Sequence, residues 1–393
     1  MSKSKNLVAA QIGCGAFAVD QHGPNLVRNP HIARIKWACD TSQDRAEGFA
    51  RQFDAEKTTA SFQDATTDPE VDLILIATSH EVHVPIIESA AAHTKHIYCE
   101  KPIAMDDSQC YKIIRAVRKS PARFCVGYMR RSAPAMIALK REWLAHRNSP
   151  KRQPWRYVET VRQKFPEETC TDFFIRVQDE SSSYRMVHLD PVRGGGLIIG
   201  EAAHWLDLAC WLFDGDRPVE IQAWGSNRMR YGMHLTFQSG NAMTLTETPN
   251  GTFDYPKEMF EIACDGALFR MEHWVENQYY GRPGVEKEVF PMHRDPLPDV
   301  GTQGGLAGYL EKHRARVADM ANAKAIQGTM WPNHGYEEHF DAFVDAIIDD
   351  ASTPCDELAG YRATMLSQLA MKSVDLRTPL PVPVDKWDCH LEP

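Results

Sequence analysis

The 393-residue sequence contains no apolar run of membrane-spanning length, so we expect no membrane partner. It also lacks an excess of positive charge, because 53 acidic side chains outweigh 44 Lys and Arg and leave a formal net charge of −9. Phosphate backbones are bound by basic surfaces, so we expect no nucleic-acid partner. The polar residues 1–6 lead directly into an apolar run, unlike a signal peptide. We therefore expect a cytoplasmic protein.

Closely spaced cysteines are also missing. The ten cysteines are scattered, without one CxxC pair. Zinc sites and small disulfide frameworks both need tighter clustering, so we expect free thiols and no metal site. Internal repeats and low-complexity tracts are absent as well. With 43% hydrophobic residues, the chain has the composition of a globular protein of two or three domains.

The first third of the chain alternates short apolar runs with helix-like segments. Strands are predicted at residues 7–12, 35–39, 71–76, 97–99 and 124–126, and helices near 43–53, 84–93 and 108–119. This alternation predicts βαβ crossovers and a doubly wound parallel sheet. We expect residues 1–127 to form an α/β Rossmann domain that binds NAD(P).

After Gly127 the pattern changes to strands joined by turns. Strands are predicted at 156–163, 219–224, 233–237, 242–246, 260–263 and 267–271, and helices near 201–213, 335–350 and 356–374. Asp265-Gly266 between two of these strands is a strong hairpin signal. Residues 281–305 are rich in Gly, Pro and charge and are predicted to be a surface loop. We expect residues 128–393 to form an α+β domain with a mainly antiparallel sheet, which binds substrate and mediates oligomerisation.

A glycine-rich turn follows the first predicted strand. Gly13, Gly15 and Ala18 form a GxGxxA pattern between strand and helix. The first glycine permits the tight turn, the second lets backbone approach a diphosphate, and the small Ala18 permits close packing of helix on sheet. The alternative is a turn used only for packing. Gly23-Pro24 falls inside the first predicted helix, which should therefore be short or kinked.

Asp40 ends the second predicted strand. A carboxylate at this place can accept hydrogen bonds from the adenosine ribose hydroxyls and repel a 2′-phosphate. Arg45 lies five residues on, and no arginine follows Asp40 directly. This pattern favours NAD over NADP. The alternative is that Asp40 caps the next helix together with Thr41 and Ser42.

Several motifs together resemble one known family. In order along the chain they are Gly13 to Ala18, Asp40, Ala77-Thr78 with His83, Tyr98-Cys99-Glu100-Lys101-Pro102, and Gly194-Gly195-Gly196 with His204. This set is similar to the Gfo/Idh/MocA oxidoreductases, named for glucose–fructose oxidoreductase and inositol dehydrogenase.

The resemblance implies a two-domain fold, a nicotinamide cofactor, and oxidation or reduction at a carbinol of a sugar, cyclitol or related polyol. It implies that Lys101 is the catalytic lysine and that the Glu-Lys-Pro turn contacts the cofactor. The residues expected at the cofactor are Gly13, Gly15, Ala16, Phe17, Asp40, Thr78, His83, Glu100 and Lys101.

His204 lies on the predicted helix after the three glycines. The resemblance places it against the substrate as acid, base or hydroxyl partner, whereas the residues alone also fit a histidine satisfied within an apolar interface. Many members of the family carry aspartate four residues earlier, where this sequence has Gly200. Glu201 either replaces that carboxylate or only complements the helix dipole.

Three further residues are candidates for substrate binding. Tyr128 and Arg131 follow the last Rossmann strand, although Arg131 could equally pair with a surface acid. Asp190 precedes the glycines and could reach the cleft or only form a turn.

The expected reaction is hydride transfer between the nicotinamide of NAD and a secondary carbinol of a sugar-like substrate. Two alternatives stay open. One is a redox-neutral lyase or glycosidase that oxidises a sugar only transiently, and the other is a non-catalytic regulatory protein that binds NAD or sugar. The resemblance implies a homodimer or homotetramer.

Overall fold

A computed structural model describes residues 6–149, 163–165, 170–179, 194–252, 255–282, 284–285, 287–293, 304–319 and 331–389. The first six strands are β1 Leu7–Ile12, β2 Ile32–Cys39, β3 Lys57–Thr59, β4 Leu73–Ile76, β5 His96–Cys99 and β6 Phe124–Val126. They form one parallel sheet in the order β3-β2-β1-β4-β5-β6. The predicted doubly wound sheet is confirmed, and its strand order reverses between β1 and β4.

Helices cover this sheet and bury its strands. They are α1 Gly23–Arg28, α2 Gln43–Phe53, α3 Phe62–Thr66, α4 His83–Ala92 and α5 Asp107–Lys119. All four residues of β4 are fully buried, which explains why this strand is a continuous aliphatic run instead of an alternating one. The predicted helices near 43–53, 84–93 and 108–119 are confirmed.

The first helix is short, as Gly23-Pro24 predicts. A π-helical turn, Ala18–His22, carries the chain out of the glycine turn, and α1 then starts at Gly23 with Pro24 in its first turn. A Cβ at Gly23 would lie 2.3 Å from the ring of Phe53, so α1 packs against α2 at a distance that only glycine allows. The wide turn therefore accommodates the proline and turns His22 inward, where it is 3% exposed.

The second sheet has nine strands. They are β7 Asp172–Gln178, β8 Pro218–Gly225, β9 Tyr231–Phe237, β10 Ala242–Thr248, β11 Glu258–Cys264, β12 Ala267–Glu272, β13 Glu276–Tyr280, β14 Lys287–Val289 and β17 Leu380–Pro381. Their order is β14-β13-β12-β11-β7-β10-β9-β8-β17, and every pair is antiparallel except β7 with β10. Two further short strands, β15 Met292–His293 and β16 Trp331–Pro332, pair separately. The predicted mainly antiparallel domain is confirmed.

Six further helices complete the described part of the chain. They are α6 Pro134–Arg147, α7 Ala203–Leu212, α8 Gly305–Asp319, α9 Tyr336–Ile348, α10 Glu357–Leu376 and α11 Val384–Trp387. The helix α10 contacts β8 and α7 in the second domain and α5 in the first. The long helix α10 therefore packs against both domains.

Some elements depart from the sequence prediction. β7, β13 and α6 were not predicted, and residues 281–305 contain β14 and β15 where a loop was expected. β14 forms because Lys287–Val289 completes the sheet edge against β13, a tertiary pairing that its polar composition does not indicate. Most of the predicted strand at 156–163 lies outside the described residues.

Candidate active site at the junction of the two domains

The glycine turn lies where the strand order of the parallel sheet reverses, which is where open α/β sheets bind ligands. Gly13 has φ +87°, and a Cβ there would lie 2.2 Å from the carbonyl oxygen of Ala77, so the turn requires glycine. A Cβ at Gly15 would meet nothing within 4 Å. Ala16 and Phe17 are exposed beside it. The turn therefore offers open backbone to a diphosphate, as the fit of a dinucleotide requires.

Asp40 lies at the end of β2 and contacts the same turn. One carboxylate oxygen accepts the Cys14 N–H at 2.9 Å, and the other accepts the Ser42 N–H at 2.8 Å and Arg45 Nη2 at 2.8 Å. Burial alone would raise the pKa of Asp40, but the hydrogen bonds from Arg45, Ser42 and Cys14 lower it. Asp40 is therefore a carboxylate at neutral pH. It joins the glycine turn to the start of α2, so the capping alternative and a ribose-binding role are compatible.

Thr78 and His83 follow β4. Thr78 is half-buried beside the glycine turn, and its methyl group lies 3.0 Å from the place of a Cβ on Gly13. His83 is fully buried, and its Nδ1–H donates to the Pro102 carbonyl at 3.1 Å. Burial lowers the pKa of His83, so the ring is neutral. Its hydrogen bond to the Pro102 carbonyl helps to hold the Glu-Lys-Pro turn in place.

Lys101 reaches from the end of β5 to the second domain. Its Nζ donates to the Gly200 carbonyl at 2.7 Å and to Glu201 Oε1 at 3.2 Å. Both acceptors belong to a π-helical turn, Ile198–Ala202, that leads into α7. Lys101 therefore contacts the backbone carbonyl at position 200 and the carboxylate of Glu201.

His204 lies one turn further along α7. It is 3% exposed, and its ring meets the ring of Tyr128 edge-on at 5.6 Å between centroids. Burial is the largest cause that lowers the pKa of His204 well below its ordinary value, and the charges of Lys101 and Arg130 add to it. Its Nδ1 has no hydrogen-bond partner within the part of the chain that the structure describes. His204 is therefore a neutral imidazole with an unused ring nitrogen near the Lys101 ammonium.

The two arginines after Tyr128 pair with different buried acids. Arg131 donates through Nε and Nη2 to Asp207, at 2.7 Å for Nε, and through Nη1 to the Pro354 carbonyl. It borders a cavity of about 450 Å³ between α7 and α10, which Asp207 and Asp356 also line. All three guanidinium nitrogens are engaged, which favours the alternative of an ion pair, here with a buried acid, and substrate binding by Arg131 stays a prediction.

Arg130 is the residue that sequence reasoning missed. Its Nη2 donates to Glu258 at 2.9 Å, and its guanidinium lies 4.4 Å from the ring centroid of Trp205. Its Nε and Nη1 are buried without a hydrogen-bond partner among the described residues. The Arg130-Arg131 doublet was the available signal, but the sequence does not show which arginine points toward His204.

Tyr128 and Asp190 complete the predicted substrate residues. Tyr128 is 1% exposed, packs on His204, and has a hydroxyl without a hydrogen-bond partner in the described ranges. Asp190 lies outside the described residues. Within the described parts of the chain, no group of three His, Cys, Asp or Glu side chains could hold a metal ion, and no helix is long and apolar enough to cross a membrane.

Comparisons with known proteins point to one family. Residues 8–128 match the model of the Gfo/Idh/MocA family, described as an oxidoreductase family with an NAD-binding Rossmann fold. The uncharacterized oxidoreductase YrbE of Bacillus subtilis is 22% identical over 391 residues, which cover 96% of this chain and 97% of that protein. Inositol 2-dehydrogenase of Acidothermus cellulolyticus is 30% identical over 161 residues, 38% of this chain and 47% of that enzyme.

Solved structures share the fold over nearly the whole chain. Levoglucosan dehydrogenase in complex with NADH and L-sorbose superposes with a TM-score of 0.69 at 18% identity, covering 96% of this chain and 99% of the other. Myo-inositol 2-dehydrogenase from Lactobacillus plantarum gives a TM-score of 0.67 at 16% identity, with 96% and 100% covered. The likeness therefore extends to both domains.

Proposed function

We propose that the chain is an NAD-dependent oxidoreductase of the Gfo/Idh/MocA type, whose family model residues 8–128 match, and that it transfers hydride between nicotinamide and a secondary carbinol of a sugar, cyclitol or related polyol. The observation that carries this proposal is the contact between Lys101 and the turn that leads to His204. A cation from one domain thus contacts the turn that leads into the helix that carries a neutral imidazole in the other. Similar proteins are named inositol and levoglucosan dehydrogenases.

Lys101 and His204 have different roles at the substrate oxygen, because Lys101 orients the oxygen and His204 accepts its proton. A bound NAD⁺ would be held by the glycine turn and Asp40, and it would supply the acceptor for the hydride of the carbinol carbon. The neutral His204 has an unused Nδ1 that can take the hydroxyl proton as the carbon–oxygen double bond forms. Lys101 holds ammonium hydrogens beside the same place and orients the oxygen. In the reverse direction, the histidine returns the proton to the carbonyl oxygen.

Arg130 and Tyr128 are proposed to bind other substrate oxygens. Both carry buried donors without a partner among the described residues. An unmatched buried donor costs about 1–3 kcal/mol, which a bound hydroxyl recovers. A polyol presents several such hydroxyls, so this pair of donors favours a polyhydroxylated substrate over a simple alcohol.

Asp40 and Arg45 are proposed to select NAD. The carboxylate faces the glycine turn, where it can accept from a ribose hydroxyl and repel a 2′-phosphate. Arg45 neutralises part of that charge, and its side chain is 56% exposed. Selection against NADP should therefore depend on the carboxylate and not on a steric barrier.

The outer face of the nine-stranded sheet is proposed to pair with a second copy of the chain. This face exposes Phe174, Trp224 and Tyr280, which are 40%, 48% and 52% accessible. Antiparallel sheets tolerate one solvated face, but large apolar side chains on it mark an association surface. Light scattering should give a dimer or tetramer mass for the parent, and a lower mass for Trp224→Glu.

The function is tested with a panel of sugars, cyclitols, sugar acids and glycosides. We expect stoichiometric NADH formation with at least one polyol, and much slower NADPH formation from NADP. Lys101→Met should lose about 10²–10⁴-fold in kcat because it removes the group that orients the oxygen, while NADH binding followed by fluorescence stays within about threefold. Conversion of a glycoside without net NADH would instead indicate a redox-neutral reaction and contradict the proposal.

A further inference from the structure

A buried chain of polar side chains runs behind the Glu-Lys-Pro turn. Three side chains form it, and each contacts the next. They are Gln11 on β1, His22 at the end of the first π-helical turn and Glu100 at the end of β5. His22 Nδ1 lies 3.1 Å from Gln11 Oε1, and His22 Nε2 lies 2.9 Å from Glu100 Oε1. The side chains of His22 and Glu100 are 4% and 13% exposed, so water does little to screen this contact.

The orientation of Gln11 fixes one proton on His22. Gln11 Nε2 donates to the carbonyls of Gly13 at 2.9 Å and Ile12 at 3.3 Å. A flipped amide would place its oxygen against those two carbonyl oxygens, so Oε1 must face His22. An amide oxygen only accepts, and His22 Nδ1 therefore carries a hydrogen.

The other ring nitrogen then needs a second proton. In a neutral ring with hydrogen on Nδ1, Nε2 is an acceptor, and it would face the carboxylate oxygen of Glu100 across 2.9 Å. Two acceptors at this distance repel, so the contact must contain one proton. A proton on His22 makes a charge-assisted hydrogen bond to the Glu100 carboxylate, which is the stronger of the two possible arrangements.

Other titratable groups around the contact are neutral near pH 7. Burial lowers the pKa of His83 and raises the pKa of the tyrosines and thiols that face Glu100, which are Tyr98, Tyr336, Cys99 and Cys125. The ring of Tyr98 also meets His22 edge-on, and Phe17 covers its other side. None of these groups supplies a positive charge to the contact between His22 and Glu100.

Glu100 is held on its remaining sides by the sheet. Its backbone N–H donates to the Ile76 carbonyl, and its carboxylate lies 2.8 Å from the place of a Cβ on Gly127. The next residue is Lys101, so the position of Glu100 sets where that side chain leaves the strand. His22 in turn follows the glycine turn that faces the cofactor.

We propose that His22, in its imidazolium form, is a positioning residue that holds Glu100 and thereby the Lys101 turn against the glycine turn. The inference rests on the proposed function for its effect on turnover, because Lys101 acts on substrate only under that proposal. The protonation state of His22 is independent of the proposal and can be measured without substrate.

The first test is nitrogen NMR of the full chain labelled with [¹⁵N]histidine, with His22→Gln used to assign the His22 signals. We expect both ring nitrogens of His22 to be protonated at pH 7. In Glu100→Gln, Nε2 should lose its proton, because the new amide can donate to it. An unprotonated Nε2 in the parent would overturn the proposal.

The second test compares His22→Leu with His22→Gln on the parent's best substrate. Small misplacements of a catalytic group cost up to about 10²-fold in rate. We expect His22→Leu to lower kcat at least about tenfold with KM changed less than about threefold, and His22→Gln, which keeps a donor, to recover part of the loss. The control His93→Leu alters an exposed histidine and should match the parent. Full kcat in His22→Leu would overturn the positioning role, whereas a parent that oxidises no polyol would contradict the proposed function and leave the NMR result standing.

Discussion

Two glycine-rich turns, one in each domain, approach the Glu-Lys-Pro turn with the same local geometry. In the first domain Gly13 leads to the π-helical turn Ala18–His22, and in the second Gly195 and Gly196 lead to the π-helical turn Ile198–Ala202. The first turn brings His22 to Glu100, and the second brings a backbone carbonyl and Glu201 to Lys101.

The difference lies in the charge around each histidine. His22 contacts a carboxylate, whereas burial and the charges of Lys101 and Arg130 lower the pKa of His204. The same kind of helical turn is therefore proposed to have a structural role in the first domain and a chemical role in the second. The charges beside each histidine, and not the geometry of the backbone turn, are expected to decide which role that histidine has.

The largest expected effect comes from the second turn. His204→Asn keeps a polar side chain but removes the proton acceptor, so we expect kcat to fall by about 10²–10⁴-fold. The lowered pKa of His204 keeps the parent ring neutral well below pH 6.5, so polyol oxidation should show no loss from His204 protonation between pH 7 and 6.5. Steady-state rates across this pH range check both statements. A loss of less than tenfold in His204→Asn would mean that another group accepts the proton.

The two turns should differ in how they tolerate a methyl group. Gly13→Ala places a Cβ 2.2 Å from the Ala77 carbonyl at φ +87°, and we expect it to lower the free energy of unfolding by about 1–3 kcal/mol. Gly200→Ala is the matched control, because its Cβ would meet nothing within 4 Å. Denaturant unfolding measures both. Equal stability of the two variants would contradict the packing described for the first turn.

The preference for NAD over NADP tests the role of Asp40, which lies at the end of β2 beside the first turn. Asp40→Ser removes the charge that repels a 2′-phosphate and frees Arg45, so we expect kcat/KM for NADP relative to NAD to rise about tenfold. Adding Arg45→Ala should abolish that gain. A gain that survives the second substitution would show that Arg45 does not contact the phosphate.

The smallest expected effect concerns Glu201. Its ion pair with Lys101 is partly exposed, with side chains 30% and 18% accessible, so its contribution is at most about 1 kcal/mol. Glu201→Gln should therefore lower kcat/KM about fivefold or less, since the Gly200 carbonyl still holds the ammonium. The exposed Glu47→Gln serves as the control. A loss above about a hundredfold would assign Glu201 a direct part in proton transfer.

The sequence predicted local structure correctly where backbone geometry or burial permits only a few residue types. Gly13 and Gly15 indicated the turn, Asp40 the strand end, and Gly23-Pro24 the short first helix, because each of these features restricts the residues that fit. The fully apolar β4 indicated a strand buried on both faces. Local patterns of this kind predicted the parallel sheet and the position of its ligand edge.

Other parts of the site depend on contacts that no local pattern contains. Lys101 binds the carbonyl of Gly200, and a backbone oxygen has no signature in the sequence. Arg130 and Arg131 are neighbours with the same side chain, and only the fold shows that Asp207 engages the second one. Edge strand β14 likewise forms because a partner strand lies beside it.

The most direct test of the account is a double-mutant cycle in single-turnover kinetics. Lys101→Met, His204→Asn and the double variant are mixed with saturating NAD and the parent's best substrate, and NADH formation is followed by stopped flow. If the two residues act on one oxygen in one step, the double variant should be about as slow as the slower single variant. If the two losses multiply instead, Lys101 and His204 act independently and the shared site is wrong.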